Sequence, residues 1–120
     1  MIEGLQEKLD SWIEGVNKKL DDNWRALGEK TAISLRTEYV YHPGPSVTVT
    51  KGRKYIKIIQ AYPNSSNAKG RSVYAFIDME TGSVLKPACW SRPAKHKRGN
   101  LFDIDNGLNC AGPYGIAYLK

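Results

Sequence analysis

The sequence predicts an α+β fold: a long N-terminal amphipathic helix packed on a roughly five-stranded antiparallel meander sheet, followed by an irregular, glycine-rich C-terminal segment. Three observations carry this. Apolar residues recur every three or four positions over the first thirty residues. After Thr31 the texture changes to short β-branched and aromatic runs separated by turn residues. The chain has 120 residues, enough for one domain with its own core, and its 41% hydrophobic and 25% charged content excludes a disordered tail or a coiled rod.

In the first segment Ile2, Leu5, Leu9, Trp12, Val16, Leu20, Trp24 and Leu27 keep one face apolar, while Glu7, Lys8, Glu14, Lys18, Asp21 and Asp22 fall away from it. We expect a helix within residues 1–30, ending near Gly28, and a basic antiparallel β domain over residues 31–120, the two forming one compact unit. A stripe of this kind packs on its own sheet. It is also longer than the sheet needs, since about 26 helical residues extend about 39 Å against strands of about 20 Å. The surplus predicts a homo-oligomer joined through the helix, with Leu9 and Val16 in the seam.

Leu35, Thr37, Tyr39 and Tyr41 alternate as a first strand, and His42-Pro43-Gly44-Pro45 turns the chain. Val47-Thr48-Val49-Thr50 is a second strand, Lys51-Gly52-Arg53 a tight connection and residues 55–61 a third strand. Residues 64–70 read as a polar, mobile surface loop. Residues 73–78 are apolar on both faces, as a central strand requires, and Glu80-Thr81-Gly82 turns the chain into the return at Val84-Leu85. After Trp90 the alternation stops. Gly107, Gly112 and Gly115 argue for tight loops near the C-terminus, with Tyr114 and Tyr118 packed on the sheet.

Charge is the first pointer to a partner. Residues 1–30 carry a net −2, whereas the remaining ninety residues hold thirteen basic and five acidic side chains, a net +8. A cationic body favours anionic partners. Residues 86–100 concentrate it, with five basic side chains, one histidine, one tryptophan and no acid. Pro87 and Pro93 stiffen this stretch, Arg92 and Arg98 offer planar forks to phosphate oxygens, and Lys95 and Lys97 act as point charges. We therefore select Trp90, Arg92, Lys95, His96, Lys97, Arg98 and Asn100 as ligand-binding residues in a stiff basic loop. Tyr55 and Lys57 join them: alternation puts both on the face opposite Ile56 and Ile58, where a lysine meets a phosphate and a ring stacks a base. Tyr74 is expected as a further aromatic wall.

Catalytic patterns are thin, and binding without a cofactor or metal is expected. Cys89 and Cys110 have neither zinc-cage number nor Cys-x-x-Cys spacing, and free thiols are expected. His42 reads as a turn residue. Asp103 and Asp105 form an Asp-x-Asp pair, but Gly107 falls fifth where a calcium loop wants it sixth, so capping is the expected job. The start Met-Ile-Glu-Gly-Leu-Gln-Glu has no basic n-region or apolar h-region, and no apolar run approaches the roughly 20 residues of a bilayer span, so a cytoplasmic protein without a membrane partner is expected.

The stretch Val73-Tyr74-Ala75-Phe76-Ile77-Asp78-Met79-Glu80-Thr81-Gly82, with Lys86-Pro87-Ala88-Cys89-Trp90, Pro93-Ala94-Lys95 and Arg98-Gly99-Asn100, resembles a family of small uncharacterised proteins of tailed bacteriophages. The similarity runs over about residues 51–118, and Cys89 stands where that family more often carries a small hydroxyl residue. The resemblance implies a phage protein in a host bacterial cytoplasm and supplies no activity. Joined to the basic stretch, it leads to an expectation of anti-defence binding: sequestration of a nucleotide-derived host immune signal. Single-stranded or duplex nucleic acid is the alternative ligand. A structural or host-interaction role through the helix is a second alternative.

Overall fold

The structure is a computed structural model that describes residues 2–63, 71–112 and 115–116. Helix α1 (Leu5–Leu35) lies on one face of a sheet made of β1 (Ser46–Lys51), β2 (Tyr55–Ala61), β3 (Arg71–Asp78), β4 (Ser83–Cys89) and β5 (Arg92–Asn100). The strands pair antiparallel in chain order, a five-stranded meander. A single 3-10 turn, Leu108–Cys110, leads into a small hairpin, β6 (Ala111–Gly112) and β7 (Gly115–Ile116). The expected loop at 64–70 and the expected packing of Tyr114 and Tyr118 fall outside the described residues.

The apolar stripe forms the core from Leu5 to Leu20, whereas Ile2 and Leu27 at its ends are exposed. Leu5, Leu9, Trp12, Val16 and Leu20 are buried against Ile56, Ile58, Ala75, Ile77 and Val84, the helix-facing residues of β2, β3 and β4. The Trp12 ring meets Tyr74 edge-on at 6.0 Å and donates its Nε1–H to the Gly107 carbonyl. Asn17 accepts the Val47 N–H at 2.8 Å and so fixes the entry of β1 under the helix. Leu9 and Val16 are therefore core residues of their own chain, and the expected oligomer seam cannot use them without unfolding it.

The helix also runs past the expected stop at Gly28 to Leu35, about 46 Å in all. It ends where Arg36 adopts a left-handed conformation (φ 56°) and Thr37 N–H returns to the Ala32 carbonyl, a Schellman-type closure. The strand expected at Leu35, Thr37, Tyr39 and Tyr41 is instead a strap that folds back along the helix. The alternation there reflects packing on the helix: a Cβ on Gly28 would lie 2.8 Å from the Tyr39 ring, and Tyr41 donates its hydroxyl to Asp21 while Arg25 stacks 4.1 Å over its ring. Bonds to Arg25 and then Tyr41 hold the Asp21 carboxyl below its ordinary range.

The fifth strand comes from the segment expected as a basic loop. β5 pairs with β4, but the register slips three times, and Pro87 faces Pro93 at the middle of the pair. Two facing prolines remove two ladder donors, which accounts for an irregular junction. Asp103 and Asp105 do cap turns: Asp103 accepts the Asn100 N–H, and Asp105 accepts those of Asn109 and Gly107.

Candidate functional site

The face of the sheet away from the helix is where the predicted residues gather. Thr50, Lys57, Phe76, Leu85 and Lys97 stand opposite one another in turn across all five strands, and Tyr55 and Asp78 pair one row nearer the β3–β4 turn. Phe76 and Leu85 are only 3% and 7% exposed, although no helix lies on this side among the described residues. Long side chains of the face lie against Phe76. Tyr55 meets the Phe76 ring edge-on at 6.2 Å, and the Lys57 ammonium lies 5.9 Å from the Phe76 ring centre and 4.7 Å from that of Trp90. Lys54, part of the basic cluster that surrounds Tyr55 in the sequence, sits 5.4 Å from the Tyr55 ring centre.

Beside this cover an open cleft of about 700 Å³ is lined by Tyr55, Asp78, Thr81, Ser83, Leu85, Arg92, Pro93, Ala94, Lys95 and Lys97. Of the nine residues selected from sequence, Tyr55, Arg92, Lys95 and Lys97 line it. Lys57 and Trp90 form a cation–π pair outside its lining, with Trp90 half exposed in the β4–β5 turn. His96 and Arg98 are not among the lining residues; Arg98 donates to the His96 carbonyl at 3.2 Å. Asn100 serves the fold, its Nδ2 donating to the Thr81 carbonyl and its Oδ1 accepting the Phe102 N–H.

Tyr74 is not a wall of this site. A register shift between β2 and β3 leaves it unpaired beside Ala75, and it turns to the helix side, buried against Trp12 with its hydroxyl donated to the Gly112 carbonyl. Burial pushes that hydroxyl far above the ordinary tyrosine range. Phe76 takes the aromatic place on the outer face. It was legible in the sequence as a residue of an all-apolar strand, but not as the floor of a cationic surface.

Cys89 and Cys110 are both free. Cys89, exposed at the end of β4, is held below the ordinary thiol range by its contact with Ser91, whereas burial pushes Cys110 up. Among the described residues no group of three or more His, Cys, Asp or Glu side chains is placed to hold a metal ion, and no helix is long and apolar enough to cross a membrane.

A second cleft, about 520 Å³, lies between the strap and the last turns of α1, lined by apolar residues including Trp24, Leu27, Leu35, Tyr39 and Val40, with Glu38 and His42. It has no Lys or Arg in its lining and does not suit an anion.

Neither the curated proteins nor the solved structures compared with this chain include a match. Residues 3–117 match a protein family described as a family of unknown function (DUF7717), and because that span takes in the helix, the sheet and the C-terminal hairpin, the chain belongs to this family as a whole.

Proposed function

We propose that the outer-face cleft binds a phosphorylated, nucleotide-derived ligand. The observation that carries this reading is the convergence of Arg92, Lys95 and Lys97 from one strand on a cleft that also holds the Tyr55 ring and a single acid. Its volume falls in the range of about 300–1,000 Å³ typical of small-ligand sites. Two lysines two residues apart on β5 and an arginine near its start supply both point charges and a planar fork for phosphate oxygens. In the phage setting that the sequence resemblance implies, the function becomes sequestration of a nucleotide-derived host immune signal in the bacterial cytoplasm.

One observation favours a second reading, single-stranded nucleic acid. Trp90 is 50% exposed and, with Lys57, extends the cationic and aromatic surface beyond the cleft. A strand tracking along that surface would stack a base on Trp90 and displace several counterions.

A competition series separates the two. A cyclic dinucleotide is expected to displace a labelled dinucleotide nearly as well as a twenty-nucleotide strand does, with a shallow salt dependence. Displacement by the long strand alone, with affinity falling steeply in salt, would replace the pocket by the track. If neither competitor binds, or if changing Lys95 and Lys97 to alanine leaves binding untouched, the cleft is not the site.

A further inference from the structure

The cleft is chemically polarised along its length. Asp78 is the one acid in its lining, and it sits with Thr81 and Ser83 at the β3–β4 turn, whereas Arg92 and Pro93 mark the opposite end, where β5 begins. Asp78 and Tyr55 are direct antiparallel partners, so their Cβ atoms stand about 5 Å apart on the same face. One oxygen of Asp78, Oδ1, accepts the Glu80 N–H at 2.8 Å, and among the described residues no protein donor reaches Oδ2. The hydroxyls of Thr81 and Ser83 are already bonded to each other at 2.8 Å.

A carboxylate at one end of a phosphate-binding cleft repels the phosphates and receives hydrogen-bond donors. It therefore orients the ligand, with phosphates toward Arg92, Lys95 and Lys97 and a donor-bearing edge toward Asp78. Among the common bases only guanine presents two adjacent donors, N1–H and N2–H₂, to the two oxygens of a carboxylate. Adenine and cytosine set a ring-nitrogen acceptor beside their single amine, and uracil flanks its one N–H with two carbonyls; each places a repulsive atom against Asp78. We infer that this end of the cleft selects a guanine base, packed beside the Tyr55 ring with its Watson–Crick edge on Asp78. The inference rests on the phosphorylated-ligand reading above and adds the identity of the base.

The test is calorimetric titration of the full chain with GMP, IMP, AMP and inorganic pyrophosphate, repeated with Asp78→Asn. Asparagine keeps the acceptor for the Glu80 N–H but loses the second acceptor, so the turn is retained. GMP is expected to bind at least about tenfold more tightly than AMP, with IMP, which lacks the N2 amine, between them. In Asp78→Asn the GMP and AMP affinities should converge to within about twofold, while pyrophosphate binds as before or better. Equal affinities for GMP and AMP in the parent protein overturn the base assignment without any variant; if pyrophosphate binding still depends on Lys95 and Lys97, the phosphate site itself stands. A GMP preference that survives in Asp78→Asn overturns the role of Asp78. Failure of all four probes to bind overturns both this inference and the reading beneath it.

Discussion

The two faces of the sheet are both shut off from water at their centres, and by opposite means. On the inner face Ile56, Ile58, Ala75, Ile77 and Val84 lie under five helix residues in a continuous apolar core. On the outer face Phe76 and Leu85 are also buried, and Phe76 lies against the Tyr55 ring and the Lys57 ammonium, side chains of the sheet itself. An apolar interface between two rigid elements resists rearrangement, because any opening exposes close-packed surface. A cover of lysine and aromatic rings rests on contacts worth about 0.5–1 kcal/mol each at exposed sites, and its long stems change rotamer readily. The inner face thus stabilises the fold, and the outer cover can rearrange without opening that core.

The largest break in that contrast is Trp12→Ala. Trp12 is fully buried at the centre of the inner face and carries a hydrogen bond to Gly107, so its loss is expected to cost about 3–5 kcal/mol in chemical denaturation. A cost below about 1 kcal/mol would mean that the helix is not the true lid of the sheet. Leu9→Asp and Val16→Asp belong to the same class: each should unfold the chain, so sedimentation of these variants reports folding and not self-association.

Next comes the double change of Lys95 and Lys97 to alanine. It should lower affinity for phosphorylated ligands by about tenfold or more, while stability moves by no more than about 0.5 kcal/mol per site, as for other exposed positions. A fall in stability matching that of Trp12→Ala, measured by the same denaturation, would show the outer cover to be part of the core.

Trp90→Ala sharpens the choice of ligand. If a base stacks on the half-exposed ring, the loss should be about 1–3 kcal/mol of binding to a single strand, with little effect on a mononucleotide confined to the cleft. Equal losses for both ligands would extend the site to include the Lys57–Trp90 pair in every complex.

The same contrast between faces explains what could be read in the sequence. Inner-face residues announce themselves, because a stripe such as Leu5, Leu9, Trp12, Val16 and Leu20 must be buried against something, although the stripe alone does not say whether its own sheet or a second copy covers it, and the alternation of Tyr55 and Lys57 against Ile56 and Ile58 set the sides of β2 correctly. β5 was hidden, because its open face carries Lys95 and Lys97 in place of apolar residues and its pairing is interrupted where Pro87 meets Pro93. The strap beyond Leu35 gave the opposite error: Thr37, Tyr39 and Tyr41 alternate as a strand does, yet Tyr39 and Tyr41 pack on the helix. Tyr74 was misplaced by one bulged residue, which no local pattern records. The proximity of Lys57 to Trp90 is a tertiary fact, since thirty-odd residues and two strand crossings separate them.

The smallest expected effect concerns the loop that supports the inner face from the C-terminal side. Asp105 accepts the backbone N–H groups of Asn109 and Gly107, and these two bonds hold its carboxyl below the ordinary value of 3.8. The Gly107 carbonyl in turn receives the Trp12 indole, so the loop is tied to the core. A carboxyl whose folded pKa is depressed adds stability that is present above its unfolded pKa and is lost as pH falls through the lowered folded value. Asp105→Asn removes that dependence, since an amide does not titrate. The stability difference between parent and variant should therefore be constant from neutral pH down toward 3.8 and shrink below it, when followed by thermal melts at stepped pH. A difference that persists unchanged through the acid range would assign the loss to loop packing instead of charge.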